Sequence, residues 1–236
     1  MFKIGAFIQA RMGSTRLPGK TLHAVMGKPL LQYLLERLNH AERLDGIVVA
    51  TSDTEADSRI AAFCARLDVP IFRGSLSDVA GRMAGALEAH PFDAFVRVTA
   101  DNPLLDQRLV DQAIGIFRQG EFDVVTNVHP RTYPKGQSVE ILRSATFRSA
   151  YQAMAEPEDL EHVTSYFYRN AGRFRIFNFE SGKTYEQIQL SVDTPEDMAM
   201  FTAIVARMTL SHWEYTVEEI VGIYSALKQE TSVVGS

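Results

Sequence analysis

Through the first half of the chain, short apolar runs alternate with segments of helical period, and few folds accept that rhythm. Ile4 to Ala10, Ile47 to Ala50, Val69 to Phe72, Phe92 to Asp101 and Phe122 to Asn127 read as strands. Between the first two, Leu30, Leu31, Leu34, Leu35 and Leu38 fall at helical spacing behind Pro29, a residue suited to a helix start. Thr51-Ser52-Asp53-Thr54 offers N-caps for a helix through Arg66, Ser75 or Ser77 for one carrying Val79, Met83 and Leu87, and Asp106 for Leu109 to Phe117. This predicts an α/β fold: a Rossmann-like, mainly parallel sheet with helices on both faces. Ligands of such sheets lie at the carboxyl ends of the strands.

The first strand runs into Arg11-Met12-Gly13-Ser14-Thr15-Arg16-Leu17-Pro18-Gly19-Lys20. Arg11, Arg16 and Lys20 add three positive charges, and two glycines let backbone N–H groups come close to a ligand. Such a loop suits a triphosphate. One reading is the phosphate loop G-x-x-x-x-G-K-[ST], whose second half Gly19-Lys20-Thr21 supplies. Its first glycine would fall at Ser14, Pro18 removes an N–H donor, and Val25 to Pro29 intervenes before any helix. The plain alternative, a solvated basic loop, sits poorly with three cations beside two glycines.

On a chain of 236 residues with a net charge of −5, the basic loop is a local feature, which favours a small anion over a nucleic acid. The length suits one large domain over residues 1–236 with a small appended lobe. The single cysteine, Cys64, reads as a small core hydrophobe, and a chain without a disulfide framework fits the cytoplasm. The start carries no signal-peptide pattern, and no run reaches membrane-spanning length.

Ala10, Arg11, Gly13, Ser14, Arg16, Leu17, Pro18 and Lys20 together resemble A-R-x-G-S-x-R-L-P-x-K, the opening of the cytidylyltransferases that make CMP-activated sugar acids. The likeness is strongest to the spore-coat polysaccharide branch of SpsF type, with acylneuraminate and 3-deoxy-manno-octulosonate enzymes as wider relatives. It implies a nucleotide-diphospho-sugar transferase fold with a small α+β arm. It also implies Mg²⁺-dependent transfer of CMP from CTP to a sugar acid or related sugar, in surface polysaccharide or glycan precursor synthesis. Ala10, Arg11, Gly13, Ser14, Arg16 and Lys20 would then bind the nucleotide, with the backbone of residues 8–10 at the base and Arg11, Lys20 and Asp101 catalytic. The segment Phe72 to Arg82 follows F-R-G-x-x-x-D-V-x-x-R, which puts Arg73 and Arg82 in the nucleotide pocket; spacing alone reads Asp78 and Arg82 as a surface ion pair.

Arg97 to Leu104 matches R-V-T-x-D-x-P-L, whose aspartate binds the metal in the family, and a carboxylate at a strand's carboxyl end is a ready Mg²⁺ ligand. Val192 to Asp197 matches V-D-x-P-E-D, making Asp193 the second metal ligand rather than part of a helix cap. Tyr133 to Glu140 follows Y-P-x-G-L-D-V-E, with Gln137 and Ser138 in place of Leu-Asp, so a carboxylate is missing where the acceptor is chosen. Tyr133, Lys135, Gln137 and Glu140 are the acceptor candidates there. Glu161-His162-Val163-Thr164 matches E-H-V-T and adds His162, read on a helix from 159 to 167, as a substrate-site residue rather than a general base.

Gln137 to Leu142 reads as a strand, and Arg173 to Phe179 and Glu186 to Val192 as strands of a smaller sheet. Helices at Pro195 to Met208 and Val217 to Lys228 close the chain, with a disordered tail over 230–236. Phe174, Phe177 and Phe179 need cover that two short strands do not give. Together with the arm of about 130–185, which in relatives reaches a second subunit, they predict a homodimer; the first domain is the other source of cover. A small-metabolite kinase, another NTP-sugar nucleotidyltransferase and a non-catalytic relative are the alternatives.

Overall fold

The computed structural model describes residues 1–185 and 187–234, with residues 231–234 described by backbone alone. The first strand, β1 (Ile4–Gln9), is followed by the cationic loop and a hairpin of β2 (Ala24–Val25) and β3 (Lys28–Pro29). Then come α1 (Leu30–Asn39), β4 (Gly46–Ser52), α2 (Ser58–Arg66), β5 (Ile71–Gly74), α3 (Val79–Ala89), β6 (Ala94–Thr99) and α4 (Gln107–Gln119). The middle of the chain forms β7 (Val124–Thr126), β8 (Glu140–Arg143), α5 (Ser144–Tyr151), α6 (Pro157–Glu161), α7 (Ser165–Arg169) and β9 (Ile176–Asn178). Two helices, α8 (Pro195–Arg207) and α9 (Val217–Val234), end it.

Seven strands form one sheet in the order β5-β4-β1-β6-β8-β7-β9, and only β8 runs against the rest. Alternate residues of β1 enter opposite cores, as a strand covered on both faces requires. Ile4, Ala6 and Ile8 pack with α1, α2 and α4, and Phe7 packs with α3 and α5. The chain steps outward from β1 to β4 and β5, then returns to β6 on the other side of β1. That reversal opens a crevice at the carboxyl ends of β1 and β6. A third apolar cluster joins α8 and α9 to Tyr33 and Leu104.

Several sequence expectations change. β9 extends the main sheet beside β7, and residues 187–192 form no strand: the segment touches Lys135 through an isolated bridge at Gln189. Gly136 explains the close approach, since it has φ +99° and a Cβ there would stand 2.4 Å from the Ser191 nitrogen. The helix read from 159 to 167 is two short helices broken at His162 to Thr164, where Val163 turns into the core. Asp78, not Ser75 or Ser77, caps α3 by accepting from the Gly81 N–H at 2.6 Å. α5 follows β8 directly and went unread, and α9 continues to Val234 through much of the tail expected to be disordered; residues 235–236 lie outside the described residues. Phe179 is buried against Tyr133 and Phe174 against Phe167, so the chain itself covers these rings, while Phe177 remains 39% exposed. Among the described residues, no helix is long and apolar enough to cross a membrane.

Arg37 fastens the layers. It is fully buried on α1, and its guanidinium donates to the carbonyls of Leu105 (2.7 Å), Tyr215 (2.8 Å) and His212, with Asp106 3.7 Å away. Removing it strands three carbonyls and leaves Asp106 with Arg108, 3.1 Å away, as its remaining cation. Arg37→Ala is expected to cost about 3–5 kcal/mol of stability, seen in urea melts as a lower midpoint with little change of slope. A midpoint like the wild type's would show that the network is dispensable.

Candidate active site

The loop after β1 is folded on itself and leaves its ligand-binding groups unused. The Met12 N–H donates to buried Asp57 at 2.6 Å, the Ser14 hydroxyl accepts from the Leu17 N–H at 3.2 Å, and the Thr21 hydroxyl donates to the Arg11 carbonyl at 2.7 Å. Gly19, in the left-handed region at φ +75°, turns the chain so that Lys20 enters the crevice. Among the described residues, the N–H groups of Arg11, Gly13, Thr15 and Arg16 find no acceptor in the chain. These free donors, with the Arg11 side chain exposed beside them, form an anion-binding concavity.

Opposite the loop stand two carboxylates. The Val192 N–H donates to the Asp101 carbonyl at 2.8 Å and so brings the segment before α8 to the end of β6. Thr194 and Asp197 complete the capping box of α8, which frees the Asp193 carboxylate from capping. Lys20 Nζ lies 2.8 Å from Asp193, 3.3 Å from Asp101 and 2.8 Å from the Val192 carbonyl; Arg16 reaches Asp193 at 3.3 Å. The loop, Asp101 and Asp193 line a chamber of about 210 Å³ whose rim also carries Val79, Glu161 and His162.

A second chamber of about 320 Å³ adjoins it and shares Arg97, Thr99 and His162 as a common wall. Arg97 and Glu140 are register partners on β6 and β8 and pair at 2.7 Å; the second Arg97 amino group donates to the Gln9 side chain at 3.1 Å. Tyr168 donates to Glu140 at 2.6 Å and stacks on His129. Burial, then the neighbouring Glu140 charge, push the Tyr168 phenol far above its usual range, so it stays a donor.

Every residue assigned to the nucleotide from the first loop lines the first chamber: Ala10, Arg11, Gly13, Ser14, Arg16 and Lys20, with Asp101 and Asp193. Arg73 and Arg82 do not. Arg73 donates to the carbonyls of Ser52 and Thr54, while Arg82, its pKa lowered by burial, donates to Ser75 and makes no ion pair with Asp78. They brace the edges beside the crevice by donating to backbone carbonyls. Of the acceptor candidates, Glu140 and His162 line the second chamber, and Tyr133, Lys135 and Gln137 stay outside it. Tyr133 is core, the Lys135 backbone holds the 188–191 segment, and the Gln137 amide accepts from Asp106 N–H and donates to the Leu104 carbonyl. Arg97, Arg131, Ser138 and Tyr168 are wall residues that motif reading missed. Arg97 is the first letter of R-V-T-x-D and Ser138 stands in for the aspartate of Y-P-x-G-L-D-V-E; Arg131 and Tyr168 have no local signal.

A phosphate loop of the kinase type is not what forms here. A 3-10 turn, Lys20–Leu22, replaces the helix that should follow, and Lys20 faces carboxylates. A switch-point crevice with a cationic loop against two carboxylates is where an α/β sheet of this kind binds an anionic ligand. The chain belongs to the cytidylyltransferase family, whose model matches residues 6–232. It is 33% identical to the spore coat polysaccharide biosynthesis protein SpsF of Bacillus subtilis over 84% of each chain. It is 34% identical to 3-deoxy-manno-octulosonate cytidylyltransferase 2 of Hydrogenovibrio crunogenus over 51% of this chain and 49% of the other. A solved cytidylyltransferase structure from Leptospira borgpetersenii superposes with a TM-score of 0.89 at 28% identity, covering 99% of this chain and 97% of that one.

Gly13 offers a test of the anion site. A Cβ at Gly13 would meet no protein atom within 4 Å, so nothing in the fold asks for glycine there. Gly13→Ala should leave the melting temperature unchanged within about a degree, since surface changes away from special features cost under about 0.5 kcal/mol. It should weaken nucleotide affinity about tenfold or more, read by calorimetry. Unchanged affinity would move the phosphates away from this loop.

Proposed function

We propose that the protein forms a CMP-sugar and pyrophosphate from CTP and a sugar acid or related sugar, supplying surface polysaccharide or glycan precursors. The observation that carries this reading is the pair of adjoining chambers, one cationic with free N–H groups, the other walled by polar side chains, meeting at Arg97, Thr99 and His162. Membership of the cytidylyltransferase family supports CTP as the nucleotide, and the likeness to 3-deoxy-manno-octulosonate cytidylyltransferases supports a sugar acid as the acceptor class.

The acceptor hydroxyl attacks the α-phosphorus, the bond to the β-phosphate oxygen breaks, pyrophosphate leaves and the hydroxyl proton is lost. Positioning and charge stabilisation carry such a transfer. Arg11, Arg16 and Lys20 neutralise the triphosphate and the leaving pyrophosphate, the free loop N–H groups orient it, and residues 8–10 border the base. Glu140 and Tyr168 hold the acceptor wall in place.

The carboxylates suit a divalent cation. Both already converge on one cationic atom, Lys20 Nζ, and no cluster of three His, Cys, Asp or Glu exists among the described residues. Two carboxylates, nucleotide phosphates and waters are a usual Mg²⁺ shell. Asp101 and Asp193 would hold it, and when bound it supplies positive charge at the phosphates. Asp101→Asn and Asp193→Asn should each lower pyrophosphate release about a hundredfold and weaken Mn²⁺ binding by water-proton relaxation. In the same assay CTP should outrun UTP, ATP and GTP. Near wild-type behaviour of both variants would remove the metal assignment, and equal use of UTP would move the enzyme to another nucleotidyltransferase reaction.

The same reading includes a homodimer through residues of about 130–185, in the cytoplasm. It is supported by β9, which forms one end of the sheet and carries the exposed Phe177, and by the buried lone cysteine. Light scattering at micromolar concentration should give twice the chain mass of 26.4 kDa. A fully active species at 26.4 kDa would count against it.

A further inference from the structure

Met12 is the hub of the cationic loop and is held from three sides. Its side chain is buried in the core. Its carbonyl accepts from the N–H groups of Ser14 at 3.1 Å and Gly19 at 3.0 Å. Its N–H donates to Asp57 at 2.6 Å, across 45 residues of chain. In a trans peptide the C=O and the N–H point opposite ways. Turning the Met12 carbonyl into the loop therefore turns the Gly13 N–H out of it. Turning the Met12 N–H to Asp57 likewise sends the Arg11 carbonyl to the Thr21 hydroxyl. Arg11 and Gly13 line the first chamber, and Met12 does not. Asp57 itself is 1% exposed. Its other oxygen accepts from the Ser52 N–H at 3.2 Å and from the Ser52 hydroxyl. It stands at the N-cap of α2, yet its side chain makes no capping bond there. A buried carboxylate is costly, and this one is spent on the loop and on Ser52 rather than on its own helix.

We propose that Asp57 is a positioning residue for nucleotidyl transfer, pinning the Arg11–Met12 peptide so that the N–H groups of Arg11 and Gly13 face the triphosphate before it binds. Donors fixed in advance need no reorganisation as charge develops during the transfer. An ionised carboxylate accepts from three donors without presenting one of its own. An amide of the same shape would set its NH2 against either the Met12 N–H or the Ser52 N–H. Asp57→Asn thus breaks the arrangement with little change of volume. This role rests on reading the first chamber as the nucleotide site.

The test uses the full chain, with inorganic tripolyphosphate and CTP titrated by calorimetry. Wild type should bind both. Asp57→Asn should weaken both about tenfold or more and, at saturating CTP, lower kcat for pyrophosphate release by a similar factor, because misplaced phosphates also react more slowly. Ser52→Ala removes one donor to Asp57 and leaves the Met12 bond. It should lower the melting temperature yet keep both affinities within about twofold, as a change confined to the scaffold would. Hydrogen exchange reads the wild type alone and decides the matter where Asp57→Asn fails to fold: the Met12 amide should exchange at least about a hundredfold more slowly than those of Arg11 and Gly13. Four results would each overturn the role: wild type that does not bind tripolyphosphate, Asp57→Asn that keeps its affinity, Ser52→Ala that loses as much as Asp57→Asn, or a Met12 amide as open as its neighbours. Turnover separates this from the proposed reaction. Asp57-dependent tripolyphosphate binding without pyrophosphate release from CTP and any sugar acid would remove the reaction and leave the positioning role; turnover that Asp57→Asn does not slow would do the reverse.

Discussion

Two carboxylates held at one point repel each other unless a cation lies between them. Here that cation is the ammonium of Lys20, and the groups it joins lie far apart in the chain, Asp101 at the exit of β6 and Asp193 before α8. Three local features make the meeting possible. The parallel pairing of β1 with β6 brings residue 101 beside the first loop. Gly19 adopts a left-handed turn that directs Lys20 inward. Asp197 takes over the capping of α8, so Asp193 is free. The last third of the chain is thereby seated on the first sheet at the place where the chemistry occurs.

What could be read from the sequence was what local pattern encodes. Alternating runs gave the parallel sheet and the crevice, and the loop and both aspartates stood in contiguous motifs. What could not be read depended on pairings between distant segments. Arg97 meets Glu140 because β8 enters the sheet reversed between β6 and β7, and no pattern in 137–142 states that direction. Arg73 and Arg82 carry the charge expected of phosphate ligands, but nearby carbonyls needed donors and took them. Tyr133 and Gln137 sit in a matching motif, yet their side chains face the core and the β6 exit turn. The aromatic rings of 174 and 179 looked uncovered because their partners, Phe167 and Tyr133, lie on other elements.

The two chambers use cations differently. In the first, the Arg16 side chain is 63% exposed and the loop N–H groups are open, so charges can move to meet a ligand that brings several of its own. In the second, Arg97 is fixed from both sides, by Glu140 and by Gln9, before any substrate arrives. A wall whose side chains are already held in place loses little entropy on binding.

Gln137 gives this arrangement its scale. A primary amide is the one side-chain group that accepts and donates at neighbouring atoms without carrying charge. Gln137 spends both functions on the turn after Asp101, accepting from Asp106 at 2.8 Å and donating to Leu104 at 2.7 Å, while Asn127 donates to its carbonyl at 2.7 Å. The residues that follow it, Ser138 and Glu140, are walls of the second chamber. The side chain is therefore a strut between two half-sites, and its length is set by covalent bonds. Spacing between the two chambers becomes a dimension of the scaffold, fixed before either is filled.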